Sequence, residues 1–235
     1  MCPFAARARY ALAAKGIEFQ RVETCLNKKA DWHKAANGGM VPILETPEGE
    51  LILESGVLMS FAHEMGGDKG LELYPKDPLE AARMRLQMVK FDKFLPFIFP
   101  IYMSRGKDQQ AIDNLTAQMP ALNDFCAKVA DGKWLSGSDH PTMVDVHVVP
   151  ICEFMVGWMH GPLKNVSDSC DFAGKAPNML KLVENFHAHE AFSPMVMNWE
   201  AAAKHWTRTM GWEEGVKCQL SLDVLKGVIE GTVLE

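Results

Sequence analysis

Along the first residues of the chain, Phe4, Ala8, Ala11 and Leu12 recur at i, i+4, i+7 and i+8, one face of a helix. Pro3 stands where a first helical turn loses nothing by lacking an N–H, and Gly16 stands where a left-handed cap would close it. A helix is expected over residues 3–15. Residues 17–23, with Ile17, Phe19 and Val22, predict a strand ahead of a polar stretch over 27–37. Short apolar runs at 41–45 and 51–53 are joined by Thr46, Pro47, Glu48, Gly49 and Glu50, whose proline and glycine predict a hairpin. Ser55 then reads as the cap of a second helix ending near Gly66 and Gly67.

The Gly/Pro-rich passage 66–78 carries little periodicity and reads as a domain boundary. Beyond it the pattern is helical over residues 79–94, 109–130, 143–159, 176–190 and 194–210. The expected organisation is a small mixed domain over residues 1–68 followed by an all-helical domain over 78–235. There is no internal repeat and no low-complexity tract.

Composition narrows the classes. The chain has 235 residues, 48% apolar and 23% charged, which excludes disorder and fibrous repeats. Its net charge of −6, with no basic run, argues against a nucleic-acid partner. The longest apolar stretch, residues 146–159, is broken by His147, Pro150 and Glu153 and predicts a buried helix rather than a membrane span. No secretory leader is legible, so a cytoplasmic location is expected. Cys2, Cys25, Cys126, Cys152, Cys170 and Cys218 are scattered without a Cys-x-x-Cys, so a special cysteine would act alone.

Cys2 precedes Pro3 at a helix start, where the amides of Phe4 and Ala5 and the positive end of the helix dipole favour a thiolate. A reactive monothiol is one reading; a near-terminal cysteine without a role is the other. Pro42 interrupts the run Met40, Val41, Ile43 and Leu44, so either it lies on a sheet edge or the Val41–Pro42 bond is cis. Only about 5% of such bonds are cis, which favours the edge; a cis bond would free the Val41 backbone to pair with an extended peptide. Glu54 and Ser55 open the second helix, as a plain cap or as a site for a carboxylate. Lys28 and Lys29 read first as solvated loop residues. His187 and His189, two apart on a helix, do not form a metal set and read as surface histidines; no metal is expected. The dispersed methionines, and Trp199, Trp206 and Trp212, read as packing.

Taken together, Cys2, Pro3, Phe4 and Ala5 at a helix start, Val41 and Pro42 before a strand, and Glu54 and Ser55 after a hairpin resemble the cysteine-type glutathione transferases, closest to the omega class. Lys15, Gly16 and Ile17 closing the first helix, and the capping box Thr142, Met143, Val144 and Asp145, add to the likeness. The resemblance implies an α/β thioredoxin-like N-terminal domain followed by an all-α glutathione transferase C-terminal domain. It also implies glutathione as co-substrate, a small electrophilic or disulfide second substrate, and a homodimer.

On this resemblance Cys2 would form the mixed disulfide with glutathione, and Val41, beside Pro42, would pair with its cysteinyl backbone. Glu54 and Ser55 would hold the γ-glutamyl end, Lys29 would meet the glycine carboxylate, and Phe4 and Leu26 would line the cleft. With Phe4 where a second motif cysteine would have to be close by, a second glutathione must release the first. That implies thiol transfer, deglutathionylation or dehydroascorbate reduction. The family runs a strand immediately before its Cys-Pro-Phe turn, and only Met1 precedes Cys2 here, so a truncated domain lacking its first strand is expected. Were Met1 removed, an N-terminal-nucleophile amidohydrolase would be conceivable, but the chain has too few strand signals for that fold. The tail over residues 212–235 carries no readable role. A non-catalytic binding or scaffold protein of the same fold, or a chloride intracellular channel-like relative, is the alternative to an enzyme.

Overall fold

The computed structural model describes residues 2–26, 28–197, 202 and 206. Contacts divide the chain into two compact units, residues 1–71 with 190–235, and Glu72–His189. The division at residues 71 and 72 lies inside the Gly/Pro-rich passage.

The first unit begins with α1, Pro3–Ala14, which has Cys2 at its N-cap and Pro3 in its first turn. Its end is a Schellman closure. Gly16, at φ +62°, donates to Ala13 O at 2.9 Å, and Ile17 donates to Leu12 O at 3.0 Å. Residues 17–23 are not a strand, contrary to the expectation from their apolar positions. A strand needs a neighbour to complete its ladder, and none pairs with them among the described residues; Ile17 is spent on the helix cap, and Arg21 is ion-paired with Glu23.

Within the polar stretch that follows lies α2, Asp31–Asn37, closed by Gly38 at φ +58°. The hairpin forms as the turn chemistry dictates. Strands β1, Ile43–Glu45, and β2, Leu51–Leu53, pair antiparallel with Ile43 opposite Leu53. Their turn is held by Thr46 N to Glu50 O and Gly49 N to Thr46 O, both 2.9 Å, with Gly49 at φ +83°. Helix α3, Ser55–Gly66, follows directly, but Glu54 occupies its N-cap and Ser55 its first turn, which corrects the reading of Ser55 as the cap.

Two helices of equal length, α1 and α3, pack together and run the same way. The buried Lys15 sends its ammonium to Gly67 O at 2.8 Å and Leu71 O at 3.0 Å. Leu71 N in turn bonds Ala14 O at 2.7 Å. The C-terminal ends are thereby fastened, and since the two packed helices each span 12 residues, or about 18 Å, their starts lie toward the same end of the unit.

The second unit is helical: α4, Pro78–Asp92; α5, Leu95–Met103; α6, Gln109–Phe125; α7, Met143–His160; α8, Lys164–Cys170; α9, Phe172–Lys175; and α10, Pro177–Ala188. Helix α7 is apolar on nearly every side and packs against α4, α8 and α10, as a central helix must. The periodic segments emerge, whereas α5, α8 and α9 do not follow from periodicity. The α5 sequence is apolar all round and carries Pro96 and Pro100, which hides its period. Of the helix expected over 194–210, residues 194–197 are not helical, Ala202 and Trp206 are, and the others lie outside the described residues. Trp199 and Trp212 also lie outside them, whereas Trp206 is buried.

A capping box starts α7. Asp145 Oδ2 accepts from Thr142 N at 2.8 Å and from Thr142 Oγ1 at 2.9 Å, while Oδ1 accepts from Leu135 N at 3.0 Å. Burial pushes the Asp145 carboxyl up to about 6 against four hydrogen bonds that pull it down, these three and one from its own amide. His187 is not a surface residue. Its Nε2 meets the fully buried Glu153 carboxylate at 2.9 Å, because a charged group inside α7 requires a partner, and the half-buried His189 packs edge-on against Trp134. Among the described residues no helix is long and apolar enough to cross a membrane.

Candidate functional site

The end of the first unit where α1 and α3 begin collects the residues that the sequence singles out. Cys2 is half-buried, in extended backbone at φ −142°, and its carbonyl accepts from Ala6 N at 3.1 Å. Its sulfur therefore stands at the mouth of α1, where the first amides have no helical acceptor. Phe4 lies in the first turn of α1, with the Arg7 guanidinium 5.1 Å from its ring centroid.

The hairpin register brings the second group to the same end. With Ile43 opposite Leu53, the chain just before β1 lies beside the chain just after β2, so Val41 and Pro42 flank Glu54 and Ser55. The Val41–Pro42 bond is cis, which answers the choice the sequence left open. No main-chain partner engages the Val41 amide or carbonyl among the described residues. Because β2 leads into α3 without a loop, Glu54 and Ser55 sit where α3 begins, next to the start of α1.

Glu54 is exposed and adopts φ +67°, ψ 121°, a backbone region that costs a non-glycine residue about 1–3 kcal/mol. Its carbonyl nevertheless starts the helix, accepting from Leu58 N at 2.9 Å.

Between Leu26 and Lys29 and the segment of Val41 in the chain stands His33, a residue whose importance the sequence did not reveal. His33 is fully buried; its Nδ1 meets Thr24 Oγ1 at 3.1 Å and its Nε2 meets Met40 O at 3.0 Å. Thr24 is thus latched to Met40, the residue that precedes Val41. Lys28 N donates to Cys25 Sγ at 3.2 Å. The Lys29 side chain runs across Gly39, where a Cβ would lie 2.3 Å from its Cδ, so a larger residue there would displace the lysine and strain the backbone at φ +75°. No pattern in the sequence signals His33 or the crossing at Gly39, because both depend on residues brought together only by the fold.

Cys2 and Phe4, and Val41, Pro42, Glu54 and Ser55, therefore lie toward one end, and Lys29 crosses Gly39 two residues before Val41, which supplies a thiol at a helix mouth, an open backbone pair, a carboxylate, a hydroxyl and an ammonium. Such a set can take a short peptide carrying a sulfur, free amide groups and charges at both ends. Among the other described thiols, Cys25 is half-buried like Cys2, and the remaining three are unsuited to exchange. Cys126, Cys152 and Cys170 are buried, and burial drives the Cys126 thiol up to about 12. Among the described residues, no group of three or more His, Cys, Asp or Glu is placed to hold a metal ion.

Comparison with known proteins bears on the fold and on the N-terminal domain. Residues 1–65 match the model of the glutathione S-transferase N-terminal domain. The chain is 33% identical over 149 residues to mouse glutathione S-transferase omega-1, covering 61% of this chain and 59% of the mouse protein. Over 157 residues it is 33% identical to the probable glutathione S-transferase BZ2 of Zea mays, covering 61% of this chain and 66% of that one. It thus spans less than two thirds of each. Among solved structures, glutathione transferase Omega 1C from Trametes versicolor superimposes with a TM-score of 0.67 at 20% identity, covering 88% of this chain and 91% of that one. The trimeric glutathione transferase TDR1 of Leishmania gives 0.72 at 24% identity, covering 87% of this chain and 46% of that one.

Proposed function

For a chain that carries a glutathione S-transferase N-terminal domain and resembles the omega class, we propose a glutathione-dependent thiol transferase that works through a mixed disulfide at Cys2. The single observation that supports this most is that the α1 mouth, the free Val41 backbone and the Glu54–Ser55 start of α3 share one end of the unit.

The Cys2 thiolate attacks the glutathione sulfur of a protein or small-molecule mixed disulfide. A Cys2–glutathione disulfide forms, and the substrate leaves as a thiolate that takes up a proton. A second glutathione thiolate attacks the glutathione sulfur of that disulfide, so that oxidised glutathione departs and the Cys2 thiolate returns. Val41 pairs with the cysteinyl backbone, Glu54 and Ser55 hold the γ-glutamyl end, Lys29 faces the glycine carboxylate, and Phe4 and Leu26 line the cleft. Deglutathionylation and dehydroascorbate reduction are the reactions this chemistry fits. Conjugation through a Tyr or Ser hydroxyl is disfavoured, since a cysteine holds that place. We place the protein in the cytoplasm as a homodimer.

Reduction of a glutathionylated peptide by glutathione tests the reading. Cys2→Ser should lose at least about a hundredfold in turnover while still binding glutathione. Wild-type protein that binds glutathione but turns nothing over would favour a non-catalytic scaffold of the same fold.

A further inference from the structure

The hairpin of the first unit has an edge that no described strand completes. In an antiparallel pair the hydrogen-bonded residues alternate, and Thr46 N donates to Glu50 O at 2.9 Å, so in the register of β1 with β2 it is Leu44 that bonds Ile52. The N–H and C=O groups of Ile43 and Glu45 therefore point away from β2, and no main-chain group bonds them there among the described residues. Two strands of three residues are marginal in water by themselves, and an open edge invites a further strand. Pro42, which has no N–H, ends that edge and leaves Val41 outside it.

The chain itself supplies a segment of the matching kind. Val216, Cys218, Leu220, Leu222 and Val224 alternate with Lys217, Gln219, Ser221 and Asp223, between Gly215 and Gly227, which is the pattern of a strand with one face covered. Read alone this pattern has no partner; beside an open edge it acquires one. The segment belongs to residues 190–235, which fall in the same unit as the hairpin, and Phe192 packs edge-on against Tyr10 of α1 with ring centroids 5.8 Å apart. From the buried Trp206 to Val216 the chain reaches up to about 35 Å, against a radius of gyration of about 13 Å for 100 residues. Charge selects the edge and the direction. Strand β2 is flanked by Glu50 and Glu54, whereas β1 has a carboxylate, Glu45, at one end and the uncharged Val41 and Pro42 at the other. A strand with Lys217 near one end and Asp223 near the other avoids a like charge only on β1, antiparallel, with Lys217 beside Glu45.

We propose that residues 217–219 of the same chain add to β1 as a third, antiparallel strand. Lys217 lies opposite Glu45, Cys218 opposite Leu44 and Gln219 opposite Ile43. The Lys217 and Gln219 amides donate to the Glu45 and Ile43 carbonyls, and the Glu45 and Ile43 amides donate back. On one face Cys218 continues the apolar row of Leu44 and Ile52, both half-buried; on the other Lys217 meets the exposed Glu45. Attachment to the same chain holds the segment at about millimolar effective concentration, so a short pairing suffices. The pairing is independent of the chemistry proposed for Cys2.

Amide hydrogen exchange of the full chain tests it. The Ile43 and Glu45 amides should exchange at least about tenfold more slowly in the wild type than in Gln219→Pro, whose proline removes the donor to the Ile43 carbonyl. The amides of α7, in the other unit, should keep their protection in both, which shows the variant to be folded. Disulfide capture gives a second readout that needs no proline. Cys218 and position 44 would form a non-hydrogen-bonded pair with Cα atoms about 4.5 Å apart, within disulfide range, so diamide should join Cys218 to the new thiol of Leu44→Cys within one chain. Equal exchange of the Ile43 and Glu45 amides in the wild type and Gln219→Pro would overturn the proposal. So would the absence of a disulfide at Cys218 in Leu44→Cys, or one that joins Cys218 only to a second chain.

Discussion

At the scale of single residues, the candidate site was legible wherever a residue type and its neighbours imply a local geometry. Cys2 before Pro3 could be placed at a helix mouth, and Pro42 in a strand pattern forced a choice that the cis bond resolves. His33 and Lys15 could not be found that way, since each acts on residues distant in sequence. Glu54 was legible as a residue but not as a strained one. Glu54→Ala should weaken glutathione binding by about tenfold or more and lower the maximal rate less, measured by titration and by initial rates. Asp145 belongs to the same scale with a structural role. Asp145→Ala leaves Leu135 N, Thr142 N and the Thr142 hydroxyl without their buried acceptor, and should cost about 2–4 kcal/mol in urea unfolding. The pH dependence has a definite sign. Burial raises the folded carboxyl to about 6 from an ordinary 3.8, so the native state binds the extra proton. The stability this supplies is complete below the unfolded value and is lost as pH rises through the folded one. Asp145→Asn, which lacks that titration, should show a shallower fall of the urea midpoint between those two values.

The elements that were legible are those whose own sequence closes them. Helix α1 has its proline and its Gly16 closure, the hairpin has Pro47 and Gly49, and α7 has its capping box. Residues 17–23 misled because apolar positions describe burial but say nothing of a ladder partner. Helix α5 was missed for the opposite reason, an apolar surface without a period. The fastening of α1 to α3 decides the geometry of the whole end. Lys15→Met should leave the Gly67 and Leu71 carbonyls without their donor and cost about 2–3 kcal/mol, since the loss is of a buried charged hydrogen bond. Because the α3 start would then be held less firmly against the α1 start, glutathione affinity should fall as well, though neither changed group touches the ligand. A variant that loses stability but keeps full affinity would separate the fastening from the site.

Taken as a whole molecule, the chain comprises one unit that carries Cys2 and a second, helical unit built on α7. Folding should therefore be linked to glutathione: at a hundredfold excess over its dissociation constant the tripeptide should stabilise the unit that binds it by about 2.7 kcal/mol, and the same concentration should do less for Glu54→Ala. Access to the thiols divides in the same way. Native alkylation should modify Cys2 and Cys25 while Cys126, Cys152 and Cys170 stay protected until unfolding. The most direct measurement is peptide mapping of the protein after brief exposure to oxidised glutathione. The disulfide-linked tripeptide should be found on Cys2, and a second portion of reduced glutathione should remove it. A tripeptide found only on Cys25, or peptide reduction that persists in Cys2→Ser, would contradict the account.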